Sequence, residues 1–179
     1  MADLFPGYTR YFLPHRGAGP NQAMRGGEWN IKQDAEALLN MARERHACVH
    51  VIGRSLGTSL ALHLAAGQRL DGLALITPFN SIVEVASRRY RWLPVRTMLR
   101  DKHEAWRDAQ RLACPVLACL ARHDKVTIRA HWERLARHLT KQANVHLAEC
   151  DHESILDDPG TWEAIQAWFT ESSRMNDSR

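Results

Sequence analysis

Apolar and polar positions along this 179-residue chain follow two periods. Short apolar runs, the pattern of buried strands, occur at Tyr8–Leu13, Cys48–Ile52, Leu73–Ile76, Pro115–Leu120 and Val145–Leu147. Between them, apolar residues recur at helical spacing. One such segment runs from Asn30, placed to cap it, to about Glu44. A second runs from Thr58 to about Ala66, with Gly67 suited to its C-terminal end. A third runs from about Ile128 to Leu139, and a closing amphipathic helix follows Pro159 with Trp162, Ile165, Trp168 and Phe169. Such β-α alternation predicts an α/β fold: a mostly parallel sheet of about five strands with helices on both faces. The rhythm breaks over residues 79–113, a long arginine-rich helical stretch containing Pro94. It reads as an insertion after the third strand, a small cap over the site. Residues 172–179 form a polar tail.

One junction in this pattern carries chemistry. The run Cys48–Ile52 leads into Gly53-Arg54-Ser55-Leu56-Gly57, and small residues open the helix that follows. Strand, tight turn and helix with a serine at the tip is how a G-x-S-x-G nucleophile elbow is built. A serine hydroxyl is a weak nucleophile and needs a base, which in turn needs an acidic group to orient it. With this elbow the chain order is serine, acid, histidine. Both partners belong in loops that follow strands, because sites in such sheets lie at the strands' C-terminal ends. Asp124, after the run Pro115–Leu120, and His152, after Val145–Leu147, meet these conditions. Asp124 is also placed to cap the next helix or to pair with Arg122, and His152 to be satisfied by backbone. His15, His123 and His146 are rival bases and Asp151 a rival acid. His15 precedes the serine, His146 lies within a strand, His123 crowds Asp124, and Asp151 adjoins His152.

Composition narrows the class. With 45% hydrophobic and 25% charged residues, the chain is of globular type and suits one domain, residues 1–171. No apolar run approaches the roughly 20 residues that span a bilayer. Met1–Gly7 has neither a basic n-region nor an apolar h-region, so a cytoplasmic location is expected. Cys48, Cys114, Cys119 and Cys150 lack C-x-x-C spacing and lie in or beside apolar runs; they are expected to be reduced and buried. The ten histidines are scattered without a metal-binding pattern, so neither metal nor cofactor is expected. The net charge of +4 is mild. Arginines gather around Arg88, Arg89, Arg91, Arg96 and Arg100 with Tyr90 and Trp92 between them. Such a basic segment with interleaved aromatics could meet nucleic acid or anionic lipid; without a nucleic-acid-binding motif it is expected to be a solvated helix face.

From about Phe5 to Phe169 the chain resembles the α/β-hydrolases. The resemblance is to the small serine hydrolases of the acyl-protein thioesterase, lysophospholipase and serine-aminopeptidase-like branch. It is carried by Phe5-Pro6-Gly7-Tyr8-Thr9, His15-Arg16-Gly17-Ala18-Gly19, Asp34-Ala35-Glu36-Ala37, the G-R-S-L-G elbow, Leu75-Ile76-Thr77-Pro78-Phe79, and Pro94-Val95 with Leu99-Arg100-Asp101. The resemblance implies Ser55 as nucleophile, Asp124 as orienting acid, His152 as base, and the backbone N–H of Leu56 as an oxyanion donor. It implies a small-molecule or lipid-like acyl substrate and an acyl-enzyme, without separating esterase, thioesterase and peptidase. The family's chain carries about three earlier strands and an H-G-x-x-type loop whose N–H is the second oxyanion donor. Neither has a counterpart here, and losing one such donor costs ~10²–10³ in rate. The expectation is therefore a truncated fold whose first strand, Tyr8–Leu13, either pairs parallel with Cys48–Ile52 or sits apart. The alternative function is an impaired hydrolase or a non-enzymatic binding module on the same fold. A further departure is Cys150-Asp151-His152, where the family usually has glycine beside the histidine.

Overall fold

The computed structural model describes residues 5–16, 24, 26–141 and 143–177, with side chains as far as residue 174. The chain divides into two compact units, residues 1–49 and 50–179.

The first unit is organised by α1 (Glu28–Arg45), which buries Ile31, Ala35, Leu39 and Ala42, a stripe at helical spacing. Asn30 does not cap it. The helix starts earlier, after Gly27 at φ 124, a backbone that glycine adopts freely. Asn30 sits inside the first turn and its Nδ2 donates to the Gly26 carbonyl at 3.3 Å. Arg16 donates from Nε and Nη2 to the two Asp34 carboxylate oxygens at 2.5 and 2.6 Å. This bidentate fork joins two segments that carried the family resemblance; Gly17–Gly19 lie outside the described residues. Tyr8–Leu13 forms no strand. Strand preference shows itself only where a neighbour completes the ladder and covers a face, and here Tyr8 and Phe12 are exposed.

The second unit holds β1 (His50–Arg54), α2 (Leu56–Gly67), β2 (Gly72–Ile76), α3 (Ile82–Arg89), α4 (Val95–Met98), α5 (Ala105–Ala109), β3 (Val116–Ala121), α6 (Arg129–Ala136), β4 (Asn144–Ala148), a 3-10 turn (Ser154–Leu156) and α7 (Pro159–Asp177). The four strands pair in parallel in the order β1-β2-β3-β4. Among the described residues the sheet thus has four strands, where the pattern led to about five. Every residue of β2 and β3 is buried, as in parallel sheets covered on both faces.

The two faces can be read from side-chain contacts. The His50 ring stacks on Phe169 of α7, 4.3 Å between centroids. Gly53 faces the other way: a Cβ there would lie 2.7 Å from Cβ of Ala61 on α2. Helices α2 and α7 therefore cover opposite faces. Trp168 also ties α7 to the sheet, Nε1 donating to the Leu73 carbonyl at 3.1 Å. Asp158 Oδ2 caps α7 by accepting from the Thr161 N–H and hydroxyl, both at 2.7 Å. The helix then continues beyond residue 171 to Asp177. Residues 79–113 carry the three short helices α3, α4 and α5. Cys114 and Cys119 are buried, unbridged thiols. Cys48, expected to be buried, is exposed, because β1 begins only at His50.

Candidate active site

The elbow forms at the C-terminal end of β1, where Ser55 has φ 48 and ψ −116. A non-glycine residue at positive φ is strained, at a cost of about 1–3 kcal/mol, and survives only where its surroundings over-determine it. They do so here. The Ser55 N–H donates to the Ile76 carbonyl on β2 at 2.9 Å, and the Ser55 carbonyl accepts from the Thr58 N–H at 2.9 Å and its hydroxyl at 2.6 Å. Gly53 makes the turn possible, since a Cβ on it would lie 2.5 Å from the Gly57 carbonyl oxygen. Gly57 is different: a Cβ there would meet nothing within 4 Å. Leu56 is the first residue of α2, so its N–H has no acceptor within the helix and points from the helix's positive end.

Asp124 and His152 converge on this serine. The Ser55 hydroxyl lies 3.2 Å from His152 Nε2, and His152 Nδ1 lies 2.8 Å from Asp124 Oδ2. In the matching tautomer, the hydroxyl donates to Nε2 and Nδ1–H donates to the carboxylate. Asp124 and His152 are both buried. Asp124 also accepts from the N–H groups of Val126 and Thr127 on Oδ1 at 2.7 and 2.8 Å, and from the Thr127 hydroxyl on Oδ2 at 2.7 Å. Burial is the largest single influence on this carboxyl and pushes its pKa up. The hydrogen bonds from His152 and from the Thr127 hydroxyl and N–H together outweigh it, and hold the group below the usual carboxylate range.

The rival residues are occupied elsewhere. Arg122 pairs with Glu149, not with Asp124. His123 is exposed, 3.6 Å from Glu149. His146 faces Asp158 at 3.7 Å. Asp151 Oδ1 accepts from the N–H groups of Glu153 and Ser154 and from the Ser154 hydroxyl at 2.7–3.1 Å. That network closes the turn around His152 where a glycine was expected.

Two residues at this centre escaped the sequence reading. Thr127 left a signal, since a threonine three positions after an aspartate suits a local side-chain turn. Arg54 left none. It is the variable position of G-x-S-x-G, yet its Nη2 donates to the His152 carbonyl at 3.1 Å and to Glu153 Oε2 at 2.6 Å. Among the described residues no group of three or more His, Cys, Asp or Glu side chains could hold a metal ion. No described helix is long and apolar enough to cross a membrane.

No protein-family model matches the chain. Two curated relatives, both uncharacterized proteins of Mycobacterium tuberculosis strains, are 30% identical over 133 residues, 72% of this chain and 47% of theirs. The chain thus spans about half the length of the curated relatives it matches. Solved structures are more telling. An α/β hydrolase enzyme from a Medee basin deep-sea metagenome library matches with a TM-score of 0.61 at 16% identity, over 81% of this chain and 72% of that one. The monoacylglycerol lipase of Paleococcus ferrophilus matches with a TM-score of 0.58 at 18% identity, over 79% and 76%. The acetyl xylan esterase of Paenibacillus sp. R4 matches with a TM-score of 0.64 at 18% identity, over 79% and 52%.

The chain has the α/β-hydrolase fold. Ser55 occupies the strand-to-helix turn between β1 and α2. The same fold places Asp124 and His152 in the loops after β3 and β4, at the same end of the sheet.

Proposed function

We propose that this chain is a serine hydrolase that cleaves an ester or thioester bond in a small or lipid-like acyl substrate. The carrying observation is the relay of 3.2 and 2.8 Å from Ser55 through His152 to Asp124, starting at a strained serine. In this reading Ser55 Oγ attacks the acyl carbon while His152 Nε2 takes its proton. Asp124 holds the ring in its tautomer and stabilises the imidazolium that forms. The oxyanion accepts from the Leu56 N–H, whose position at the helix start favours negative charge. The tetrahedral intermediate collapses to an acyl-enzyme, and His152 returns the proton to the departing alcohol or thiol. Water then attacks with His152 again as base, and the carboxylic acid leaves. Every step is proton transfer and acyl transfer by side chains present here. The branch resemblance fits acyl-protein thioesterase and lysophospholipase chemistry; peptide substrates use the same relay.

A fluorophosphonate probe tests the reading. Covalent labelling at Ser55, lost in Ser55→Ala, together with hydrolysis of p-nitrophenyl acyl esters, is the expected result. No labelling of a folded chain overturns it. Labelling without turnover places the defect in oxyanion stabilisation rather than in the nucleophile.

A further inference from the structure

The insertion between β2 and β3 presents a surface that the relay does not use. After α3 the chain turns through residues 90–94 into α4. Val95 is buried and Leu93 half-buried, and these two residues hold the segment down. The outward residues are of two kinds. Trp92, Met98 and Tyr90 are 80%, 62% and 48% exposed. Arg88, Arg89, Arg91, Arg96 and Arg100 are all exposed, and no acidic residue lies between Val85 and Arg100. Among the described residues, none of these five arginines forms an ion pair.

The sequence led to a solvated helix face here. Such a face mixes charges of both signs and carries few large apolar groups. This one carries a single sign and three large apolar side chains within one short stretch. We propose that residues 88–100 dock on the surface of an anionic lipid bilayer. Charge complementarity selects the partner: clustered arginines next to exposed apolar groups are drawn to anionic headgroups. Tryptophan and tyrosine settle at headgroup depth, and the unbranched Met98 adapts to the irregular acyl boundary. Stacking on nucleic-acid bases would use the aromatic rings but would leave Met98 without a role. The segment is also fastened beside the strand ends that carry the relay. The Ile82 N–H donates to the Lys102 carbonyl at 3.0 Å, and the Trp106 N–H to the Asn80 carbonyl at 3.3 Å, so both arms of the insertion meet just after β2. Docking would bring that end of the sheet to the lipid surface. The proposal stands independently of Ser55 chemistry.

Vesicle flotation of the full chain tests it, comparing phosphatidylcholine vesicles with vesicles that also contain phosphatidylserine. Binding is expected only to the anionic vesicles, with release at high salt. Replacing Arg88, Arg89 and Arg91 by Gln should lower partitioning by about five-fold per arginine, and Trp92→Ala should lower it as well. Arg43, Arg45 and Arg137 replaced by Gln should leave it unchanged, and so should Ser55→Ala. The substituted side chains of the patch are exposed, so the variants should keep the wild-type circular dichroism. Equal partitioning of the patch and control variants overturns the proposal, as does equal binding to neutral vesicles or no binding to either. Capture by single-stranded oligonucleotides that is lost in the patch variants, without vesicle binding, also overturns it and points to nucleic acid instead.

Discussion

Arg54 Nη2 donates to the main-chain carbonyl of His152 across 3.1 Å, so the residue preceding the serine also holds the loop that carries the imidazole. The same nitrogen meets Glu153 Oε2 at 2.6 Å. Arg54 is thus placed as a positioning residue, acting on the ring through its backbone. Arg54→Met should lower kcat by about ten- to hundred-fold, the range expected when a reacting group is displaced by about 1 Å, and leave KM nearly unchanged. Arg54→Lys keeps one donor and should recover part of the loss. Steady-state kinetics on a p-nitrophenyl ester reads both. A fall in KM-dependent binding with kcat intact would assign Arg54 to the substrate instead.

Strain at Ser55 separates stability from activity. Ser55→Ala keeps a Cβ at φ 48 and so keeps the strain; Ser55→Gly removes it. Both should be inactive, with hydrolysis reduced by at least ~10³. The glycine variant should be the more stable of the two by about 1–3 kcal/mol, measured by urea unfolding. Equal stability would show that the surrounding hydrogen bonds, not the backbone angle, dominate the turn.

The two elbow glycines should behave differently. Gly53→Ala forces a Cβ to within 2.5 Å of the Gly57 carbonyl, and the resulting overpacking should cost about 1–3 kcal/mol or more. Gly57→Ala places its methyl in open space, inside α2, and should stabilise the fold by up to about 1 kcal/mol. Thermal unfolding of the two variants decides this.

The elbow itself was legible because its signal is local: an apolar run, a glycine-bounded serine and a helix lie within a few residues. Asp124 and His152 were legible through chain order and their places after strands. Arg54 was not, because its partner is a backbone carbonyl 98 residues away, and no pattern near the elbow encodes that approach. Neither alternative reading of Asp124 held: α6 starts after Ile128 with no side-chain cap, and Arg122 pairs with Glu149. Asp124 Oδ1 serves the turn, while Oδ2 is shared between the Thr127 hydroxyl and His152. Tyr8–Leu13 has the composition of a strand, yet a strand needs a ladder, and composition does not supply one. Asn30 failed as a cap because Gly27, whose positive φ the letters do not display, starts the helix sooner.

Acid should weaken the fold through Asp124. Its folded pKa lies below the ordinary value of 3.8, so the folded chain binds that proton less readily than the unfolded chain does. The stability this contributes is complete above about pH 4 and is lost as pH falls through the folded pKa. Asp124→Asn lacks the titration. The difference in unfolding free energy between wild type and Asp124→Asn should therefore shrink as pH drops from neutral toward about 3. A constant difference across that range would mean that Asp124 titrates alike in both states.

Strand β2 contributes no group to the relay, but it lies between β1, which presents Ser55, and β3, which precedes Asp124. Adjacent strands stand about 4.8 Å apart, so this one strand sets the gauge across which the relay must close. Leu73, Ala74, Leu75 and Ile76 have no exposed surface, and a change of volume among them presses on the helices that cover the two faces and can tilt the strand between them. Strand β2 therefore has little dimensional tolerance. Variants that quietly lose activity without touching Ser55, Asp124 or His152 should be sought there.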